Sequence, residues 1–293
     1  MFATIGRTWK LAGMSARVLL KDKELLLFPL MSFVAVAIVV GAFLAIAYST
    51  GSFDRLDAAI NDDTATTTAT TAEEEGVNIL DVTLYVLGFV AVTYVVVFFN
   101  AALVAAALER LRGGDPNVMT GLRAVVPQMH NILGWAIISA TVGLILQVLR
   151  SRTDNLIGRI VLSLIGGAWA YMTFFVVPVL VARGVGPIDA IKQSASLFKS
   201  TWGEQVTSNI GFGIFYIIGG LIAIVPAAML FSVNSIAGLI LGIPLVALVI
   251  GAVQATEGIF KAALYEYAAE GMIPVGFEEA DLPSTYERSA AMR

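Results

Sequence analysis

The stretch GVGPIDAIKQSASLFKSTWGEQ, residues 184–205, lies between two long apolar segments and is too polar to cross a bilayer itself. After its proline, apolar residues recur at spacings of three and four, at Ile188, Ile191, Ala195, Phe198 and Trp202. Polar residues occupy the opposite side of a helix with this period. The pattern predicts an amphipathic helix that lies in the headgroup layer or against a membrane-embedded bundle.

The same pattern occurs twice more in the chain. Residues 113–135 repeat it, with a helix predicted over residues 116–131, and there Arg123 and His130 hold the places of Lys192 and Lys199. A fainter copy opens the chain, and its cations are Arg7, Lys10, Arg17 and Lys21. We therefore predict three amphipathic helices, each of which precedes a pair of apolar segments.

The composition indicates a membrane protein. Of the 293 residues, 58% are hydrophobic and 14% are charged, and the charges are crowded between long apolar runs. This segregation is typical of a polytopic membrane protein. The sequence predicts an all-α fold with six membrane-spanning helices, at about residues 25–48, 79–108, 132–148, 160–182, 206–231 and 236–263.

The first apolar run has two interpretations. Ala45, Ile46 and Ala47 resemble the cleavage motif of a signal peptide. The run is longer than twenty residues, however, whereas the apolar region of a signal peptide usually has about 7–15. We favour a span that is not cleaved.

Several classes of function lack the residues they need. A net charge of −4 leaves no extended basic surface for nucleic acid. The chain has no cysteine and one histidine, which excludes thiolate chemistry and leaves imidazole-rich metal sites and His-based triads without their parts. Phosphate loops of the Walker type and Gly-x-Ser-x-Gly elbows are also missing from the sequence. We predict no catalytic, cofactor-binding or metal-binding residue, no cofactor and no enzymatic activity.

The chain is predicted to form one transmembrane domain, residues 1–270, followed by a flexible cytoplasmic tail, residues 271–293. Residues 51–78 form an acidic, Thr-rich loop on the outer side, and whether that loop binds cations is left open. Each repeat is an amphipathic helix and a hairpin of two spans. The repeats cover about residues 1–112, 113–183 and 184–270.

The ends of the returning spans support the repeat. They read FNAAL (99–103), FVVPV (175–179) and FKAAL (260–264), and each then reaches a glycine and a proline. Because the units share one topology, an axis along the membrane normal should relate them. Three such hairpins would carry their amphipathic helices at one interface.

The basic residues predict the orientation. If both termini lie inside, the inner segments carry 14 of the 18 Lys and Arg residues. Cytoplasmic segments carry such an excess in membrane proteins. We predict a multi-pass protein of the cytoplasmic (inner) membrane with both termini in the cytoplasm.

Four segments resemble an uncharacterised prokaryotic family of integral-membrane proteins, a domain of unknown function. They are FFNAALV (98–104), WAIISATVGLIL (135–146), FFVVPVLV (174–181) and KQSASLFKSTWGE (192–204). The resemblance covers about residues 11–267 and implies a six-span inner-membrane protein without catalytic residues to transfer. More distantly, residues 187–202 are similar to the membrane domain attached to some glycerophosphodiester phosphodiesterases. The chain has no attached catalytic domain, so that activity is not implied.

Glu257 and Lys261 are the charged pair within the last apolar segment. Their spacing of four residues places them one turn apart on a helix. Charges inside a membrane often mark transport paths. This pair lies near the cytoplasmic end of its span, where snorkelling makes a charge inexpensive, so we interpret it as a structural polar pair.

These features predict a non-enzymatic scaffold or accessory subunit whose basic helices contact lipid or a partner protein. The expected partners are membrane lipids, anionic ones included, and a protein partner or second copy of the chain, but no nucleic acid. A transporter or channel for a small solute or lipid is the alternative. The predicted contact residues are Lys10, Arg17, Lys21, Arg123, His130, Lys192, Lys199 and Trp202.

Overall fold

The computed structural model describes residues 2–53, 55, 78–202 and 213–278, and for residues 2–10, 200–202 and 213–214 it describes the backbone alone. Ten helices of eight or more residues lie in these ranges. They are α1 (Phe2–Lys21), α2 (Leu27–Ser49), α3 (Ile79–Leu111), α4 (Val118–Val125), α5 (Met129–Ser151), α6 (Leu156–Met172), α7 (Val176–Arg183), α8 (Pro187–Trp202), α9 (Gly213–Val233) and α10 (Ile243–Glu270).

Shorter helical turns connect some of these elements. Two 3-10 turns, Lys23–Leu26 and Val126–Gln128, lead into α2 and α5. One helical turn, Ser235–Ala237, and a π-helical turn, Gly238–Gly242, lead into α10.

The predicted all-α membrane fold is confirmed. Six helical segments of the described chain are long and apolar enough to cross a bilayer, and none of the described residues forms a strand. Helices dominate because a backbone in hydrocarbon must satisfy its own hydrogen bonds. The chain is a multi-pass membrane protein whose spans are α2, α3, α5, α6 with α7, α9, and α10 with the turns before it.

The most deeply buried part of the bundle lies at one end. The C-terminal parts of α3 and α10, together with α7, meet there, and the short helices α1, α4 and α8 pack against them. Met14 of α1, Val125 of α4 and Ala190 of α8 are buried in this core. Because the returning spans all end on this side, the three short helices form a rim at a single end. Their relation by a threefold repeat stays a prediction.

The second of the predicted amphipathic helices is shorter than the pattern indicated. The pattern predicted one helix that continues to Asn131, but α4 ends at Val125 and a 3-10 turn follows. Pro127 lies in that turn, and proline disfavours a continuing α-helix because it lacks an N–H donor and restricts the residue before it. As a result His130 belongs to the first turn of α5, a membrane span.

The fourth span is broken rather than continuous. Residues 173–175 form a turn between α6 and α7, and Pro178 lies in the first turn of α7, where a missing N–H costs little. The backbone N–H of Phe175 donates to the Ser194 hydroxyl of α8 over 2.9 Å. Both residues are fully buried. A side chain of the rim therefore satisfies a backbone donor freed by the break.

The first residues after α10 pack against the bundle. Val275 donates its backbone N–H to the Leu111 carbonyl over 3.0 Å, and Phe277 is buried. The remainder of the predicted flexible tail, residues 279–293, lies outside the described residues. So do residues 56–77 of the predicted acidic loop and residues 203–212, where the fifth span was predicted to begin.

Candidate functional site

The rim formed by α1, α4 and α8 carries most of the residues predicted to contact lipid or a partner. Lys192 and Lys199 lie exposed on α8, and Arg123 lies exposed on α4. The side chains of Arg17, Lys21 and His130 are also exposed. The backbones of Lys10 and Trp202 belong to α1 and α8, but their side chains lie outside the described part.

The charge on the rim helices is strongly biased. Together α1, α4 and α8 contain seven Lys and Arg residues and a single acidic one, Asp189. The Asp189 carboxylate lies 3.4 Å from the Lys192 ammonium, and both side chains are mostly exposed. An exposed pair of this kind contributes little to stability. The exposed side chains of Arg123, Lys192 and Lys199 can therefore reach an anionic surface.

Polar contacts join the segment around the start of α5 to the end of α7. The Asn131 amide at the start of α5 donates to the Gly184 carbonyl before α8 over 3.4 Å. The Gln128 amide donates to the Val181 carbonyl of α7 over 3.3 Å. Gly134 allows Pro187 to approach closely, because a Cβ built there would lie 3.0 Å from the proline ring. These contacts join the start of α5 to the end of α7 and to the first residue of α8.

Glu257 and Lys261, the predicted polar pair, form an ion pair of 2.7 Å on α10. The Tyr216 hydroxyl of α9 donates to the second carboxylate oxygen of Glu257 over 2.6 Å. The Lys261 ammonium also lies 5.4 Å from the ring centroid of Phe174, within cation–π range. Phe174 belongs to the broken part of the fourth span. The structure thus joins the predicted pair to two residues that the sequence did not indicate.

A second charged pair, between Arg112 and Glu266, was not predicted. The Arg112 guanidinium donates two hydrogen bonds, of 2.7 and 3.1 Å, to one carboxylate oxygen of Glu266. Glu266 is buried, and its other oxygen has no hydrogen-bond partner among the described residues. The hydrogen bonds to Glu266 raise the pKa of Arg112 above its usual range. The only sequence signal was a carboxylate inside an apolar run, YEYAA, and nothing local identified its partner.

The side chains that could bind a metal ion are not clustered in the described ranges. No group of three or more His, Asp or Glu side chains there could hold a metal ion. The polar contacts described above instead join carboxylates to cations or a hydroxyl, and amides to backbone carbonyls.

The comparisons with known proteins identify a family and no characterised relative. A family model described as a family of unknown function (DUF6159) matches residues 80–275, more than half of the chain. The matched region contains α4 and α8 but not α1. No curated protein and no solved structure matches. The resemblance to an uncharacterised membrane family is confirmed in this form, whereas no comparison shows the predicted similarity to glycerophosphodiester phosphodiesterases.

Proposed function

We propose that this chain, which belongs to the DUF6159 family of unknown function, is a non-enzymatic membrane scaffold or accessory subunit that binds anionic lipid through its basic rim. The region that the family model matches includes two of the three rim helices. The observation that carries this proposal is the placement of the exposed cations of α1, α4 and α8 at one end of the bundle. A partner protein with an acidic surface is the alternative ligand of the same rim.

Simple electrostatics supports the choice of an anionic membrane surface. Each Lys or Arg near such a surface contributes about 1 kcal/mol. One rim helix alone therefore binds weakly, while several cations together give a lasting association. Met14 of α1, Val125 of α4 and Phe198 of α8 are already buried in the bundle, so the cations of these helices need no folding step to reach the headgroups. We propose that this end faces the cytoplasm, as the distribution of basic residues predicts.

Charge reversal on the rim tests the proposal. The variant Arg123→Glu, Lys192→Glu and Lys199→Glu should lose most of the phosphatidylglycerol and cardiolipin that purify with the wild-type protein. Lipid mass spectrometry on protein extracted from bacterial membranes measures this content. Since all three residues are exposed, the variant should keep its fold, which circular dichroism and gel filtration check.

The opposite end of the bundle offers a matched control. Three exposed arginines lie at or beside the turn between α5 and α6, and reversing them changes the net charge by the same amount. This control should retain its anionic lipid. Equal lipid content in the rim variant, the control and the wild type would contradict the proposal. The control residues are Arg150, Arg152 and Arg159.

A transporter or channel is the second candidate, and one observation favours it. The Tyr216, Glu257 and Lys261 cluster lies beside the break in the fourth span. Broken helices beside charged residues are typical of transporter sites. Under this proposal, a folded variant with Glu257→Gln and Lys261→Met would lose a flux of protons or solute in proteoliposomes. If proteoliposomes that contain the wild-type protein show no flux, this candidate function is wrong.

A further inference from the structure

A cavity of about 410 Å³ lies within the membrane-spanning region, at a site separate from the basic rim. Residues of α2, α3, α9 and α10 line it, and α2 and α9 both pack against α10. Phe33 and Ile243 of its lining are exposed on the lipid-facing surface of the bundle. The volume falls in the range of roughly 300–1,000 Å³ that is usual for ligand sites. A lipid can therefore enter from the side without crossing the bundle.

The cavity is elongated along the membrane normal. Its lining on α10 runs from Ile243 to Gln254, which corresponds to roughly 16 Å of helix at about 1.5 Å per residue. Gly242, the last residue of the π-helical turn, lies at the outer end together with Phe231. π-helical turns recur at functional sites. A site this long and narrow accommodates one hydrocarbon chain.

The inner end of the cavity is polar. A small second cavity of about 10 Å³ adjoins it, shares Ser32 and Gln254 with its lining, and adds Asn100. Such a volume is about the size of one water molecule. Ser32 is buried and Asn100 and Gln254 are half-buried, and none of these three side chains forms a hydrogen bond to another residue that the structure describes. Polar groups in hydrocarbon are costly unless they have a partner, so these groups require one.

The chemistry of the three side chains defines that partner. A hydroxyl and two carboxamides can each donate and accept hydrogen bonds, and none carries a charge. Neither cavity has a lysine or an arginine in its lining. A phosphate would therefore lie in hydrocarbon without a free cation. A neutral hydroxyl group suits the small cavity in both size and bonding.

We propose that this cavity, called the cleft below, binds a neutral lipid that carries a hydroxyl headgroup on a single hydrocarbon chain, such as a monoacylglycerol. Its chain lies along α10 between α2 and α9, and its hydroxyl bonds Ser32, Asn100 and Gln254. The proposal does not depend on the rim or on the anionic lipid proposed there.

Photolabelling of the full chain in phosphatidylcholine nanodiscs tests the site. The probe is a monoacylglycerol with a diazirine in its chain, and mass spectrometry locates the labelled peptides. Labels should concentrate on the lining residues of α2 and α10. Unlabelled monoacylglycerol should compete with the probe, whereas hexadecane, which has no hydroxyl, should not. If the label spreads over all lipid-facing helices, or hexadecane competes equally, the cleft is only solvated by bulk lipid and the proposal is wrong.

Two pairs of variants sharpen the test. Ala247→Phe fills the cleft and should abolish the concentrated labelling, whereas Ala168→Phe, at an exposed position of α6, should not. Gln254→Leu removes a polar partner at nearly constant volume and should weaken competition by monoacylglycerol about fivefold or more, because one hydrogen bond is lost. Gln147→Leu, at an exposed position of α5, is its control. Unchanged labelling in Ala247→Phe, or equal effects in both glutamine variants, would overturn the assignment.

Discussion

Replacing Arg112 by methionine should destabilise the bundle far more than replacing its partner Glu266 by glutamine. The two side chains share an ion pair of 2.7 Å, but 49% of the Arg112 side chain is exposed and only 2% of the Glu266 side chain. The cost of breaking the pair therefore depends on which partner is left behind. An orphaned Arg112 can turn to water, whereas an orphaned Glu266 remains a buried carboxylate.

The magnitude follows from this difference in exposure. Leaving a buried charge without its partner costs roughly 3–5 kcal/mol, which is our expectation for Arg112→Met. Glu266→Gln removes the charge but keeps an oxygen that accepts a hydrogen bond, so we expect about 1 kcal/mol. The double variant leaves no unpaired charge, and its cost should fall below the sum of the single costs by about 2 kcal/mol.

The assay is unfolding of the protein in detergent micelles by added sodium dodecyl sulfate. The four tryptophans of the chain provide the fluorescence signal. Arg183→Met is the matched control, because Arg183 lies at the same end, is exposed, and bonds the uncharged partners Tyr265 and Gln193. It should cost less than about 1 kcal/mol. Equal costs for Arg112→Met and Glu266→Gln, or a cost of Arg112→Met no larger than that of the control, would refute the reasoning.

Three further predictions follow from other contacts. Ser194→Ala should cost about 1–3 kcal/mol, because it removes the hydroxyl that accepts a hydrogen bond from the Phe175 N–H at the break in the fourth span. Exposed Ser196→Ala should change the free energy of unfolding by less than about 0.5 kcal/mol, and denaturant titration measures both. In intact cells, a membrane-impermeant maleimide should label Arg152→Cys, and it should label Ser196→Cys only after permeabilisation; the reverse result would invert the proposed orientation. Replacing Glu257 and Lys261 together should destabilise the protein little more than either single change, and a clearly additive loss in a thermal-shift assay would show that the two residues act independently.

The six spans and the short rim helices could be predicted because their signals are local. An apolar run of sufficient length must form a helix in a bilayer, whatever its neighbours are. The spacing of Ile191, Ala195 and Phe198 likewise indicates a helix face before any partner is known. The ion pair of Glu257 and Lys261 was also accessible from sequence, since one turn of a single helix joins its members.

What only the tertiary structure decided are the contacts between helices that are distant in sequence. Arg112 meets Glu266 across 154 residues, and Tyr216 meets Glu257 across 41. These contacts depend on the rotation of each helix about its axis, because neighbouring apolar faces are nearly equivalent in hydrocarbon. The amide-lined end of the cleft has the same origin, since Asn100 and Gln254 are unremarkable polar residues until packing places them at one cavity. The sequence by itself determined which segments cross the membrane, because helix formation satisfies the backbone hydrogen bonds locally. Packing determined which polar groups share a site, because the partners of side chains are set only when the bundle assembles.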